Sequence, residues 1–478
     1  MEMNRTTVCI MGTFDTKGIE AKYLKEKIEL YGGTPFLIDI SLRKYTPTII
    51  TPDVPNYIVA QGGGSTIEEV SKKNRKEAQE TMIKGAIKIL SNLLTEKKLG
   101  GIIAFGGSVG SGMAVRILKT LPLFVPKYLI STLPQEVSPI IAGSDIKVWW
   151  SISDMAGGNK INSIEATILN QIAAAIMGEL KAEPVNIPKK PIIVATQFGT
   201  TTPHLLMSKE ILENKGFEVI SFHAVGLSGG YTMEEFVRSE ERVVGVYDLT
   251  THEIVDEVAG GVLIASHEGK LRLRAAIERK IPHIILPGGL DQVVFGPPET
   301  IPKKYRKRFF YEHSKGMVTL MRSNEEEMYQ SGKLIAERIN DAESPVIIII
   351  PIHGFSTYDK NPLLSNSSGV YCQVIKNGKL EMTDIPWWDP SADMMLWKGI
   401  QEHVDLTNPN VTIIPVDAHI NDPELVHFVI QILIKTIKGT WKREILSDNK
   451  LYVGDPYLKF RTLILYYNDY FKVTNNKK

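Results

Sequence analysis

Cysteine is nearly absent: Cys9 and Cys372 are the only two in 478 residues. No CxxC pair exists, which excludes a zinc ribbon and a thioredoxin-type redox centre. Both cysteines stand in apolar, strand-like runs, so the expectation is two buried thiols in a cytoplasmic protein kept reduced. Long apolar runs are missing too. The longest, Val346–Ile350 followed by Pro351 and Ile352, falls far short of the ~20 residues of a membrane span. The apolar start at Thr7–Met11 is too short for a signal-peptide core. Neither sign of charge dominates: 55 Lys+Arg against 54 Asp+Glu leave a formal net charge of +1. That balance supplies no long-range field for nucleic acid or an anionic membrane, and neither is expected as a partner. No Lys-Ser/Thr pair follows a glycine loop, so there is no Walker A motif, and no proper GxGxxG favours NAD. The histidines are scattered without metal-ligand spacing, and no resident metal is expected.

What remains is ordinary globular material, 43% hydrophobic and 23% charged. The order of elements reads as α/β. Strand-like Val8–Met11 leads through Gly12-Thr13-Phe14-Asp15-Thr16-Lys17-Gly18 into helical spacing over Ile19–Leu30, and a strand follows at Pro35–Ile40. Gly101–Phe105 feeds a second glycine loop, Gly106–Gly112, then a helix over Met113–Leu118 and a strand at Lys127–Ser131. The proline- and lysine-rich stretch Lys181–Pro191 reads as a linker.

Beyond the linker the pattern restarts, with a strand at Ile192–Thr196, a turn at Gln197–Pro203, a helix over Met207–Asn214 and a strand at Glu218–Phe222. Gly63–Val70 is echoed by Gly229–Phe236, and Lys127–Ser131 by His283–Leu286. The expected organisation is two Rossmann-like, doubly wound domains, over 1–183 and 190–440, facing each other across a cleft. An aromatic-rich tail of unknown role occupies 441–478. Folds of this kind bind ligands outside the carboxyl ends of their strands.

Three glycine-rich loops carry the ligand expectation. In Gly106-Gly107-Ser108-Val109-Gly110-Ser111, glycines admit a ligand to the backbone, a helix N-terminus favours an anion, and Ser108 and Ser111 offer hydroxyls. The loop over Gly12, Thr13, Asp15, Thr16 and Lys17 adds a carboxylate for Mg²⁺ waters or a ribose hydroxyl, and an ammonium for phosphate. The third is Gly62-Gly63-Gly64-Ser65-Thr66, read as another strand end. Each has an ordinary alternative as a tight turn with a capped helix. Acid–base candidates in the second half are Asp291, His313, Asp417 and His419, read as lying on loops that follow strands.

Several of these stretches carry a resemblance. Gly12–Gly18, Gly106–Ser111, Phe198–Pro203, Pro287–Asp291, Phe295–Thr300, Val318–Arg322 and Asp417–Pro423 are similar, in order, to the UPF0261 family, the Tm-1-like ATP-binding proteins. The resemblance implies two Rossmann-like subdomains, binding of ATP or ADP with Mg²⁺, and a homodimer. It carries over no catalytic residue. Three readings stay open from the sequence: a nucleotide-binding protein, an enzyme acting on a small anionic or phosphorylated metabolite, and an ATP-dependent protein-interaction module.

Overall fold

The computed structural model describes residues 6–45, 49–155, 160–183, 185, 187–361, 369–442 and 450–475. Parts of the expected linker (184 and 186) and of the expected tail (443–449 and 476–478) lie outside the described residues. The chain divides into two compact units, Met1–Ile187 and Pro188–Lys478. No helix among the described residues is long and apolar enough to cross a membrane.

The first unit runs β1 (Thr7–Gly12), α1 (Phe14–Leu30), β2 (Thr34–Asp39), α2 (Asn56–Gly62), α3 (Ile67–Val70), α4 (Arg75–Thr95), β3 (Gly101–Gly106), α5 (Ser108–Leu118), β4 (Lys127–Ser131), α6 (Pro134–Val137), β5 (Lys147–Trp150) and α7 (Ser163–Lys181). Its five strands are all parallel, in the order β2-β1-β3-β4-β5. Side chains alternate between the faces of a strand, and both faces here are covered. Cys9, Met11, Ile102, Ala104 and Leu129 pack toward α2, α4 and α5, while Val8, Ile10, Ile103, Phe105 and Ile130 pack toward α1 and α7. That double burial explains why these strands read as continuous apolar runs.

The second unit runs β6 (Ile192–Gln197), α8 (Thr202–Asn214), β7 (Glu218–His223), α9 (Gly230–Ser239), β8 (Val243–Thr250), α10 (Glu253–Ala259), α11 (Ala275–Glu278), β9 (His283–Gly288), β10 (Gln292–Phe295), β11 (Phe310–Ser314), β12 (Val318–Arg322), α12 (Glu325–Ile339), β13 (Val346–Pro351), β14 (Tyr371–Lys376), β15 (Lys379–Pro386), α13 (Pro390–His403), β16 (Val411–Val416), α14 (Pro423–Ile437) and α15 (Pro456–Asn475). Its main sheet is parallel, in the order β7-β6-β8-β9-β13-β16. The first five strands repeat the order of the first unit, and β16 extends it. Both sequence echoes fall at equivalent places: one between the second and third strands of each unit, the other on the fourth strand.

Two features depart from the sequence reading. An antiparallel sheet, β10-β12-β11-β14-β15, is inserted into the second unit. The tail contains α15, whose Phe460 is fully buried and whose Tyr457 packs on the same core as α13. Cys9 and Cys372 are free and buried, as expected.

Candidate functional site

In the first unit the chain winds outward from β1 to β2 on one side and through β3, β4 and β5 on the other. The order therefore reverses between β1 and β3, and the crevice outside the carboxyl ends of those strands is where such sheets hold ligands. The two loops expected to bind phosphate follow these two strands. They touch: Phe14 stacks on Phe105 at 6.2 Å, and a Cβ on Gly12 would stand 2.9 Å from the Phe105 ring. Gly12 is thus required by packing between the loops.

The loop after β1 is closed to an anion at its backbone. Helix α1 starts at Phe14, more than a turn earlier than the spacing predicts, because the end of β2 caps it. Phe14 N donates to Asp39 Oδ1 (3.1 Å) and Asp15 N to Ser41 Oγ (3.1 Å). The amides of Thr16 and Lys17 donate to Thr13 O. Asp39 also accepts from Ser41 N and Oγ and from Tyr45 Oη; burial raises its pKa against these bonds. The first-turn amides expected to meet phosphate already have acceptors. Side chains remain available: Thr16 is exposed, and Thr13, Asp15 and Lys17 are half-buried, the Lys17 charge also being felt by Glu165 of α7.

The loop after β3 is open. Helix α5 begins at Ser108, so Gly110, Ser111 and Gly112 are helical and the loop proper is Gly107 alone. Ser111 N closes the first helical bond to Gly107 O at 2.8 Å. Among the described residues none accepts from the amides of Ser108, Val109 or Gly110, and Gly107 supplies no capping side chain. A Cβ added at Gly107 would meet nothing within 4 Å, and Ser108 is exposed. Three amides unpaired among the described residues thus stand at the positive end of an eleven-residue helix, beside open space, an arrangement suited to an anion.

Not every glycine and serine here serves that purpose. A Cβ on Gly106 would lie 2.7 Å from Gly110 Cα, so this pair lets the helix close on its strand. Ser111, read as a phosphate donor, is 1% exposed. It hydrogen-bonds Gly106 O and Ser131 Oγ, both at 3.0 Å, and locks the helix down instead.

Gly106–Gly110 also satisfies G-x-S-x-G in a strand–turn–helix context. Ser108 is not at positive φ, however, and all ten histidines lie at or after His204. Within its own unit Ser108 has no imidazole to take its proton.

The third glycine loop is not at a strand end. Gly62–Thr66 joins α2 to α3. A Cβ on Gly63 would stand 2.0 Å from Thr81 O, and one on Gly85 would stand 1.8 Å from Val59 O, so glycines let α2 and α4 cross in backbone contact. Thr66 and Glu69 form a reciprocal capping box, and Ser65 is held by Glu69 and Lys73. Crossing helices and capping a turn explain these residues. An open hollow of about 440 Å³ on this face is lined by Gly63, Thr81, Lys84 and Arg116, away from the reversal of strand order.

In the second unit the equivalent crevice is filled by the protein's own charges. At and just after the end of β8 stand Thr250, Thr251, His252 and Glu253, all buried. Arg272, also fully buried, donates to Glu234 (3.0 Å), to Asp248 and to Glu253 (3.4 Å). His283 Nε2 lies 2.7 Å from Asp248 Oδ2. Burial would raise the Asp248 pKa, but Arg272 and His283 outweigh it and hold the carboxyl well below the usual range. Glu253 caps the N-terminus of α9 through Gly230 N (3.0 Å), the place an anion would take.

The four acid–base candidates do not form one catalytic set. Asp291 is fully buried, accepting from Ser356 Oγ (2.7 Å) and Trp387 Nε1 (2.8 Å). His419 donates from Nε2 to Ser356 O (3.0 Å) and accepts at Nδ1 from Asn421 N (3.1 Å). That pairing fixes a neutral tautomer, and burial lowers its pKa further. His313 lies on β11 itself, not on a loop after a strand, and is exposed, with Nδ1 3.0 Å from Tyr358 Oη. Asp417 belongs to another network, with His353 Nε2 at 2.7 Å and Lys459 of α15. Among the described residues no group of three His, Cys, Asp or Glu side chains is placed to hold a metal ion. Sequence reasoning missed Asp39, Ser41, Gln292, Ser356 and Asn421, whose partners are distant in the chain.

Comparison with known proteins agrees with this two-unit layout. Residues 6–184 match the model described as the uncharacterised protein family (UPF0261) N-terminal domain, and residues 190–365 match the C-terminal domain of the same family. A UPF0261 protein of Clostridium tetani is 40% identical over 360 residues, 75% of this chain and 86% of the relative. One from Rhizobium meliloti is 32% identical, covering 87% of this chain and 96% of its own length. The ToMV resistance protein Tm-1(GCR237) of Solanum lycopersicum is 30% identical over 90% of this chain and 55% of the relative. The chain belongs to the UPF0261 family.

Proposed function

We propose that the protein binds a nucleotide, ATP or ADP with Mg²⁺, by its phosphates at the N-terminus of α5. The observation that carries this reading is the set of unpaired amides of Ser108, Val109 and Gly110 beside the reversal of strand order. Lys17 adds a positive charge from the first turn of α1. Asp15 and the hydroxyls of Thr13, Thr16 and Ser108 are the side chains left to meet metal-bound water or ribose. Mg²⁺ usually arrives with the phosphates, keeping several waters and needing one or two protein carboxylates. A single Asp15 fits that role. The choice of ATP over other phosphate esters rests on the resemblance to the Tm-1-like ATP-binding proteins. The same reading has the protein as a cytoplasmic homodimer.

The test is calorimetric titration with ATP, ADP and AMP, with and without Mg²⁺. The expected result is an affinity near 1 μM, about −8 kcal/mol, weakening as phosphates are removed. Absence of binding at millimolar nucleotide overturns the reading.

A further inference from the structure

A different polar cluster lies at the carboxyl edge of the main sheet in the second unit. Loops after β6, β9, β13 and β16 meet there, around Thr200 and the Ser356–Thr357 pair. Thr200 O accepts from Thr357 N (3.0 Å), Thr357 Oγ1 (2.8 Å) and Asn421 Nδ2 (3.0 Å). Gln292 Nε2 donates to Thr200 Oγ1 (3.1 Å), and Asp291 Oδ2 accepts from Ser356 Oγ.

Three acceptors in this cluster are buried with no partner among the described residues: Asp291 Oδ1, Gln292 Oε1 and Asn421 Oδ1. Asp291 and Gln292 are fully buried. The orientation of Asn421 is fixed, because Thr200 O can only accept and so must face the Asn421 amino group. Each unpaired oxygen sits on a side chain whose other end touches Thr200 or Ser356–Thr357. Leaving such groups unpaired is costly, most of all for a carboxylate oxygen.

The donors that face Asp291 and Thr200 are already used. Ser356 Oγ and Trp387 Nε1 serve Asp291 Oδ2, and the Thr357 hydroxyl serves Thr200 O. Arg322 reaches Asp291 only at its main-chain oxygen (3.4 Å); its other nitrogens go to Asp359, Asp393 and backbone carbonyls. His419, with a neutral tautomer, offers no charge. On the side chains that touch Thr200 and Ser356–Thr357, the atoms left over among the described residues are acceptors, one of them on a carboxylate, while the Lys360 ammonium acts on His419 from outside this set.

We propose that this cluster is a binding site for a monovalent cation, an alkali ion or the ammonium group of a small molecule, held by Asp291, Gln292 and Asn421. One carboxylate with two amide oxygens suits a singly charged, oxygen-seeking cation better than a transition metal. The proposal rests on residues of the second unit alone and stands or falls without the reading at α5.

The test is thermal unfolding of the full chain, without nucleotide, at constant chloride and ionic strength. KCl, NaCl, ammonium chloride and methylammonium chloride are compared with tetramethylammonium chloride, whose bulk and lack of N–H bonds keep it out. The expected result is a melting temperature higher by roughly 3–5 °C in at least one of the first four salts at about ten times its Kd. Potassium or sodium acting alone identifies an alkali-ion site; ammonium and methylammonium acting alone identify an amine site. Asp291→Asn removes the shift; should that variant not fold, Gln292→Met halves it or more. Equal melting in all five salts overturns the proposal, as does a shift kept intact in the folded variant. A response confined to Mg²⁺ or Ca²⁺ also overturns it.

Discussion

The two units wind five strands in the same order but treat the crevice at the reversal oppositely. In the first, glycine precedes the helix after the third strand, and three amides are left without an acceptor among the described residues. In the second, the same place holds His252 and Glu253, and a buried network around Arg272 takes the positions a ligand would use. Shared topology therefore predicts where a site is possible, while the residues after the strands decide whether it is a site or a strut.

The contrast is tested most strongly at Arg272. If the second crevice is structural, Arg272→Met leaves Asp248, Glu234 and Glu253 buried without their cation. Removing one partner of such a network costs about 3–5 kcal/mol, and urea denaturation should show the second unit destabilised by that amount. Unchanged stability would mean that the network is not a strut.

Gly107→Asp examines the open crevice. The backbone at Gly107 is extended and its Cβ position is free. Aspartate is a favoured N-cap, so its carboxylate should take the unpaired amides itself. Nucleotide affinity should fall about a hundredfold, ~2.8 kcal/mol, with the melting temperature equal or slightly higher. A variant that binds as well as the parent removes the α5 assignment.

His252 sharpens the comparison through pH. Burial disfavours its charge, but Asp256, with Oδ2 3.6 Å from Nε2, and then Glu253 outweigh it and raise the pKa to about 9. A raised folded-state value means the stabilisation is complete below the unfolded value, ~6.5, and is lost as pH rises through about 9. The parent should lose roughly 2 kcal/mol more than His252→Gln between those limits, read from denaturation curves across pH. Parallel curves would show that His252 is neutral in the folded protein.

How much of this was legible beforehand depended on how local the cause was. Val8–Met11, Gly101–Phe105 and Val346–Ile350 announced buried parallel strands because both of their faces are covered. The start of α1 was hidden, since its caps, Asp39 and Ser41, come from the end of β2. Helix α5 was cut short because Gly110 and Gly112 read as loop, although Gly110 is there to meet Gly106. Gly62–Gly64 read as a ligand loop for the same reason, when close helix crossing explains it. The antiparallel insertion was missed because strands such as Phe310–Ser314 and Lys379–Pro386 are short and partly exposed, with charges interrupting their alternation. Around α5 the sequence pointed to the loop but not to which atoms stay free, because that depends on where every neighbouring hydrogen bond goes.

Lys17 gives the smallest expected effect and the finest test. Its backbone amide is spent on Thr13 O, so only its half-buried ammonium is left to contribute. A partly exposed charge near a phosphate is screened by solvent and salt, and is worth about 1 kcal/mol or less. Lys17→Met should therefore weaken ATP about two- to fivefold, AMP less, and both differences should shrink in 0.5 M salt while stability stays put. If ATP and AMP weaken equally and salt has no influence, Lys17 is not near the outer phosphates. The loop after β1 would then be a packing partner of α5 and no part of the nucleotide site.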